Sequence, residues 1–306
     1  MSETTAPYHV PVLLGAVLDA AAGARRVVDG TLGDGGHAEA LLASGAELLG
    51  IDRDPSAIAR ARARLGESRV AYLQSPYAAS TALEAVARFA PDFILLDLGV
   101  SSQQLDEELR GFTFRPGAPL DMRMGSDGSS ATEFLNGSDE GELGRIFADY
   151  GDERRARRLA REIVRRRVRG PFTTSDDLVN AIRGALGPKT GPSDFARLFQ
   201  AVRIAVNDEL GGLSRALPAF RDALGPGGRI AVISYHSGED RLVKHLFRAW
   251  EGACVCPPRQ PLCTCAPQVY GRAQPRKPIR ADADEVAANP RARSAKLRIF
   301  RVNDAA

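Results

Sequence analysis

Several common features are scarce in this chain, and each scarcity narrows what it is. No apolar run approaches the roughly 20 residues that a membrane-spanning helix needs, so no membrane partner is expected. The opening stretch MSETTAPYHV has neither the basic nor the apolar region of a secretory signal. Cysteine is limited to four residues, all between 254 and 265, so no disulfide framework ties distant parts of the chain together. A reducing cytoplasm is the expected compartment. Lysine is also rare, only four of the 41 basic residues. The resulting arginine bias suits RNA, because guanidinium groups pair with phosphate and stack on bases. Net charge is only +3 over 306 residues, so the local distribution of charge carries more information than its total.

What is present begins with alternation. Buried, β-branched runs (ARRVVD, AELLGID, RVAYLQ, DFILLD) are followed in turn by helical stretches: GGHAEALLAS, PSAIARARARL and STALEAVARFA. Strands separated by helices predict an α/β fold with a parallel, doubly wound sheet, whose ligands sit at the carboxyl ends of the strands. Asp29, Asp52, Ser75 to Tyr77 and Asp97 are therefore expected along one rim. After Ser102 comes a loop rich in Gly, Pro and Asp, then helical segments up to about residue 194 with no strand among them. PGGRIAVIS reads as a fifth strand, and SAKLRIFRV as an antiparallel edge strand closing the sheet. The expected organisation is a discontinuous α/β domain, 1–106 and 195–306, interrupted by a small all-α domain, 107–194.

The first strand runs into GTLGDGGHAEALL, a glycine-rich turn that opens a helix. Gly33, Gly35 and Gly36 let a ligand approach the backbone, and Gly33-x-Gly35-x-x-Ala38 fits the dinucleotide fingerprint. Asp52, 19 residues beyond Gly33, is placed to accept from ribose hydroxyls. Loop and acid together serve NAD or S-adenosylmethionine equally. Three features favour S-adenosylmethionine. Asp29 precedes the glycines, where an acid suits a cationic amino-acid end and repels a pyrophosphate. Tyr77 offers an aromatic ring near the expected adenine. The stretch Asp97-Leu98-Gly99-Val100-Ser101-Ser102 stands where amino-methyltransferases place their acceptor loop. The tyrosine–lysine pair at i, i+4 used by short-chain reductases is not seen. Two alternatives stay open on these residues: an NAD-dependent oxidoreductase, and a non-catalytic RNA-binding ribosome-assembly factor.

Longer blocks carry a resemblance. HVPVLL (9–14), DGTLGDGGH (29–37), GIDRDPSAI (50–58), LLDLGVSSQQLD (95–106) and GFTFRPGAPLDMRM (111–124) occur in order. FQAVRIAVNDEL (199–210), ISYHSGEDRLVK (233–244) and NPRARSAKLR (289–298) follow them. Over nearly its whole length the chain resembles the bacterial small-subunit ribosomal RNA methyltransferases. These modify the N4 amine of a decoding-centre cytosine of 16S ribosomal RNA, conventionally position 1402. The resemblance implies a class I methyltransferase fold, Rossmann-like, with an inserted helical domain that recognises RNA. It implies S-adenosyl-L-methionine as cofactor and 16S ribosomal RNA or the small ribosomal subunit as partner, and leaves the oligomeric state, a homodimer included, open. It also implies that Gly35, Gly36, His37, Asp52, Tyr77, Asp97 and Gln104 contact the cofactor. Tyr77 stands where phenylalanine is expected, and Tyr235 stands in a block otherwise read as S-F-H-S.

Methyl transfer to a cytosine amine asks for orientation of a weak nucleophile and an acceptor for its hydrogen. Asp97, Ser101 and Ser102, at the tip of the fourth strand, are the first catalytic candidates. The Leu98-Gly99 pair replaces the prolines of the common amino-methyltransferase signature, which leaves a cofactor role for Asp97 open. His236, after the fifth strand, is placed to contact the base or a phosphate, although a strand-end histidine needs no such role. A base in folded RNA has to be flipped out or already unpaired. Tyr235 is available to stack on it, or to pack against the sheet.

Residues 154–169, RRARRLAREIVRRRVR, hold nine arginines against one glutamate. Ala156, Leu159, Ala160, Ile163 and Val164 form an apolar stripe. Arg154, Arg158, Arg161 and Arg165 form a cationic face, taken as unpaired and expected to meet RNA phosphates. GRAQPRKPIR (271–280) and NPRARSAKLRIFR (289–301) add further basic residues. Cys254, Cys256, Cys263 and Cys265 form a symmetrical C-x-C-x6-C-x-C cluster. Its spacing departs from the usual structural zinc pattern, so a zinc site, an inert thiol-rich loop and a redox or accessory RNA contact are all open.

Overall fold

Strands that are apolar at nearly every position have to be buried on both faces. The computed structural model satisfies that requirement with helices on either side of one sheet. It describes residues 11–101, 104, 107–253, 256, 260, 262, 264 and 268–304. In chain order the elements are α1 (Leu14–Ala20), β1 (Arg26–Asp29), α2 (Gly36–Ala43), β2 (Glu47–Asp52), α3 (Pro55–Leu65), β3 (Val70–Gln74), α4 (Ser80–Phe89) and β4 (Phe93–Asp97). Five helices follow: α5 (Ala131–Gly137), α6 (Glu140–Asp149), α7 (Ala156–Arg167), α8 (Ser175–Leu186) and α9 (Pro192–Asn207). The chain then continues through α10 (Glu209–Ala223), β5 (Arg229–Ser234), α11 (Ser237–Trp250), β6 (Gly271–Ala273), α12 (Ala283–Ala288) and β7 (Lys296–Val302).

The chain divides into two compact units, one running to Gly99 and resuming at Leu210, the other spanning Val100–Glu209. The first holds a seven-stranded sheet in the order β3-β2-β1-β4-β5-β7-β6. β1 to β5 are parallel, and β7 is antiparallel to both β5 and β6. Neighbouring residues along each strand point to opposite faces. Val27, Leu48, Phe93, Leu95 and Ile233 pack with α1 and α2, whereas Val28, Leu49, Ile94, Leu96 and Val232 pack with α4, α10 and α11. The SAKLRIFRV segment is antiparallel as expected but is not the edge, because β6 pairs beyond it. That strand is three residues long, too short to show a periodicity. Gly271 permits its pairing, since a Cβ there would collide with the Arg301 carbonyl.

The strand order reverses between β1 and β4, and a crevice at such a switch point is where doubly wound sheets bind ligands. Asp29 and Asp97 end these two strands, and Asp52 ends the neighbouring β2.

The second unit has its own core, contributed by α5 to α9. It is larger than the expected 107–194. The extension through α9 has a plain cause: Phe195, Leu198, Phe199, Ala201 and Val202 are buried with Leu143, Phe147, Leu159 and Ile163 of this unit. Asn207 at the end of α9 fastens the part of the unit's glycine- and proline-rich loop around Met122 and Met124. The Asn207 Oδ1 accepts from Met124 N–H at 2.8 Å, and its Nδ2 donates to the carbonyls of Met122 at 2.7 Å and Arg203 at 3.0 Å. Arg110 Nη2 donates to the Arg123 and Met124 carbonyls, each at 3.0 Å. Between these anchors Met122 is buried in the left-handed region at φ 61, which a methionine adopts only under such constraint.

Asn207→Ala leaves buried backbone groups at Met122 and Met124 without that partner, at about 1–3 kcal/mol for each unsatisfied group. We expect a net loss of about 2–4 kcal/mol, read as a lowered urea midpoint. A midpoint within error of the parent would show that the loop does not depend on this residue.

Candidate active site

The turn between β1 and α2 is fixed from both sides. Gly30 N–H donates to Leu95 O and Leu32 N–H to Ile51 O, both at 2.9 Å, so the turn hangs from the two strands flanking β1. Gly33 (φ 53) and Gly35 (φ 79) take left-handed conformations, and a Cβ on Gly33 would meet nothing closer than 3.9 Å. Open space above a left-handed glycine is what close backbone approach of a ligand requires. Asp52 is oriented by this turn: its Oδ2 accepts from Gly33 N–H and its Oδ1 from Asp54 N–H, both at 2.8 Å. Burial raises its carboxyl above the ordinary 3.8, and these two hydrogen bonds oppose the rise.

Beside it lies a cluster of titratable groups. Asp29 is only 2% exposed and its Oδ1 accepts from Thr31 N–H at 3.1 Å. Burial pushes its carboxyl up to about 6, with His37 and the Thr31 amide pulling the other way. The Thr31 Oγ1 in turn accepts from Asp97 N–H at 2.6 Å, tying β1 to β4. Asp97 is a quarter exposed, and burial pushes it up to about 7 against the hydrogen bond that Tyr235 donates to its Oδ1 at 2.8 Å. His37 Nε2 lies 2.9 Å from the Val12 carbonyl, which can only accept, so Nε2 carries the hydrogen. Its Nδ1 then faces Asp97 Oδ2 at 3.8 Å, and burial lowers the ring's affinity for a second proton.

His236 lies two residues beyond β5. It caps α11: Nδ1 accepts from Glu239 N–H at 3.4 Å, and Nε2 lies 3.2 Å from Glu239 Oε1. Buried Glu239 closes the box by accepting at Oε2 from Tyr235 N–H at 2.8 Å and His236 N–H at 3.3 Å. The reading of the sequence passed over Thr31, Glu239 and the Tyr235–Asp97 bond. The spacing His236-x-x-Glu239 before a helix was the available signal for the second.

Of the other candidates, Gly35 and Gly36 open α2, and Tyr77 sits with its Cβ against Gly30 and its ring 6.4 Å from Phe220. Gln104 belongs to the second unit and not to the unit that holds the other cofactor candidates; there it exchanges hydrogen bonds with Ser101 and donates to Met124 O. Ser102, Cys254, Cys263 and Cys265 lie outside the described residues. Among those described, no three His, Cys, Asp or Glu side chains are grouped to hold a metal, and no helix is long and apolar enough to cross a membrane.

The expectation of an unpaired cationic face is corrected for Arg161 and Arg165. Arg165 and Arg166 both pair with Glu162 at 2.7 Å, Arg161 lies 3.6 Å from Glu140, and Arg167 donates to the Leu135 and Ser138 carbonyls. Arg155 donates to Leu186 O. Arg154, Arg157, Arg158 and Arg169 are exposed and have no such partner among the described residues. In the 289–301 run, Lys296 and Arg298 both close on Asp240.

Three carboxylates around a glycine turn repel a pyrophosphate and attract a ligand with a cationic head and a ribose diol, so the donor set fits S-adenosylmethionine and not NAD. With the strand order β3-β2-β1-β4-β5-β7-β6, fold and site define a class I S-adenosylmethionine-dependent methyltransferase. The sequence profile of the MraW methylase family matches residues 6–303. The chain is 57% identical to the ribosomal RNA small subunit methyltransferase H of Gemmatimonas aurantiaca, an alignment covering 98% of this chain and 97% of the relative. It is 46% identical to the protein of the same name from Heliobacterium mobile, covering 95% and 98%, and 46% identical to that of Rubrobacter xylanophilus, covering 96% of each. The chain belongs to the MraW methylase family. It is an enzyme, a methyltransferase, and its cofactor is S-adenosylmethionine.

Asp29 and Asp97 hold protons to about pH 6 and 7 in the fold but to about 3.8 when unfolded. Each therefore contributes stability that is complete below pH 3.8 and is lost as pH rises through 6–7. In the ligand-free enzyme, Asp97→Asn is expected to flatten the fall in Tm between about pH 4 and 7. A variant whose Tm tracks the parent across that range would show that Asp97 is not held protonated.

Proposed function

We propose that this enzyme methylates the N4 amine of a cytosine in the decoding region of 16S ribosomal RNA, in the cytoplasm, with the small ribosomal subunit as partner. The observation that carries the reading is full-length similarity, up to 57% identity, to proteins named ribosomal RNA small subunit methyltransferase H. The choice of the cytosine N4 amine rests on the LDLGVSS, PLDMRM and SYHSGEDR blocks.

When bound, the cofactor supplies an electrophilic methyl group on a sulfonium. Asp29 binds its ammonium end, Asp52 its ribose hydroxyls, and Gly35, Gly36, His37 and Tyr77 complete the contacts the resemblance assigns within the first unit. The acceptor amine is a weak nucleophile because its lone pair is conjugated into the cytosine ring. Asp97 accepts a hydrogen bond from that amine, stabilises the positive charge growing on nitrogen, and takes the departing proton. His236 acts through Glu239 as a cap. The base reaches this pocket flipped out or already unpaired.

Residues 100–209 form the RNA-recognition unit in this reading, with Arg154, Arg157, Arg158 and Arg169 meeting the phosphates. Arg161 and Arg165 are weaker candidates because their charges are already paired. Replacing the four unpaired arginines with alanine is expected to reduce the slope of log affinity against log salt by up to about 3, at roughly 0.7–0.9 for each phosphate no longer neutralised. An unchanged slope would make the face a solvated surface and nothing more.

The reading is tested by incubating small subunits that lack the modification with labelled S-adenosylmethionine and mapping the product. We expect one N4-methylated cytosine in the decoding region. Label on another nucleotide, or none while a control methyltransferase is active, would reject it.

A further inference from the structure

Tyr235 is held at both ends. Its backbone N–H donates to Glu239 Oε2 at 2.8 Å, and its hydroxyl donates to Asp97 Oδ1 at 2.8 Å. The ring lies along the backbone of Gly99, where a Cβ would come within 3.4 Å of Tyr235 Cδ2. That is ordinary van der Waals contact, so it is the left-handed φ of 99 that favours glycine at this position.

The charged and titratable groups around Asp97 come from four elements. Asp29 ends β1, His37 lies in α2 with Nδ1 3.8 Å from Asp97 Oδ2, Glu239 lies in α11, and Glu285 of α12 acts on both His37 and Tyr235. Asp29 and Glu239 are anionic when ionised and oppose a further negative charge. The Tyr235 hydroxyl is the one side-chain hydrogen-bond donor to the Asp97 carboxylate among the described residues. Burial and the nearby Asp97 charge push that hydroxyl far above the ordinary tyrosine value, so it remains a donor at any working pH.

We propose that Tyr235 is a positioning residue for methyl transfer: its hydroxyl fixes the Asp97 carboxylate and favours its ionised form, ready to receive the acceptor's proton. The step it supports breaks one N–H bond of the methylated amine and forms one O–H bond on Asp97, leaving a carboxylic acid that returns the proton to water. The proposal rests on the reading of Asp97 as proton acceptor. Phenylalanine at this position keeps the ring on Gly99 and removes the polar link between the ends of β4 and β5 that reaches the carboxylate.

The test is the pH profile of kcat for the full chain on unmodified small subunits at saturating S-adenosylmethionine. For Tyr235→Phe we expect the acidic limb to move up by about one pH unit, with kcat at pH 7 falling about fivefold. We expect kcat to approach the parent value above about pH 8.5 and KM for S-adenosylmethionine to change less than about twofold. Recovery at high pH distinguishes this from damage to the fold. An unmoved profile, or a loss of the same factor at every pH, would overturn the proposal. Asp97→Asn separates the two levels: if it is inactive while Tyr235→Phe matches the parent, only the role of Tyr235 fails. If Asp97→Asn keeps the parent kcat, the reading of Asp97 fails and the proposal with it.

Discussion

Three carboxylates end three adjacent parallel strands, and the structure around them is organised by the cost of keeping them there. Burying like charges close together is expensive unless each is hydrogen-bonded or protonated. Asp29 and Asp52 draw backbone amides from the glycine turn, and Asp97 draws the Tyr235 hydroxyl. What these bonds do not offset shows as carboxyl groups that hold protons toward neutral pH. A cation is the complement to such a site. The arrangement weakens the ligand-free fold as pH rises toward 6–7, and in the reading proposed above it favours a sulfonium cofactor over a pyrophosphate.

The glycine turn serves this electrostatic arrangement as much as it serves ligand approach. Its left-handed Gly33 aims an N–H group at Asp52, and its Thr31 hydroxyl accepts from the Asp97 amide. A mutation that disturbs one end of the network therefore reaches the others through short, directional bonds. The second unit has its own core and its own fastening, with Asn207 drawing in the loop that carries Met122 and Met124.

Where the physics is local, the sequence was readable. Apolar runs alternating with helical stretches located β1 to β5, and the DGTLGDGG and GIDRD blocks located Asp29, the turn and Asp52. Where partners are distant, it was not. The Tyr235–Asp97 bond joins residues 138 apart, and Arg167 closes on carbonyls 29 and 32 residues away. A nine-arginine run therefore looked like free charge although five of its members are engaged within the fold. β6 escaped because three residues carry no period. α9 was given to the wrong unit because an amphipathic helix does not announce which core its apolar face joins.

The central claim is that the carboxylate cluster recognises the positive charge of the cofactor, and calorimetry tests it most directly. S-adenosylmethionine is titrated into the enzyme at about pH 6.5, midway between the titrations of Asp29 and Asp97, in buffers of different ionisation enthalpy. Because a cation favours the ionised carboxylates, binding should release protons, so the measured heat should vary with the buffer and the affinity should strengthen toward pH 7.5. A heat independent of buffer together with an affinity flat across that range would contradict the account.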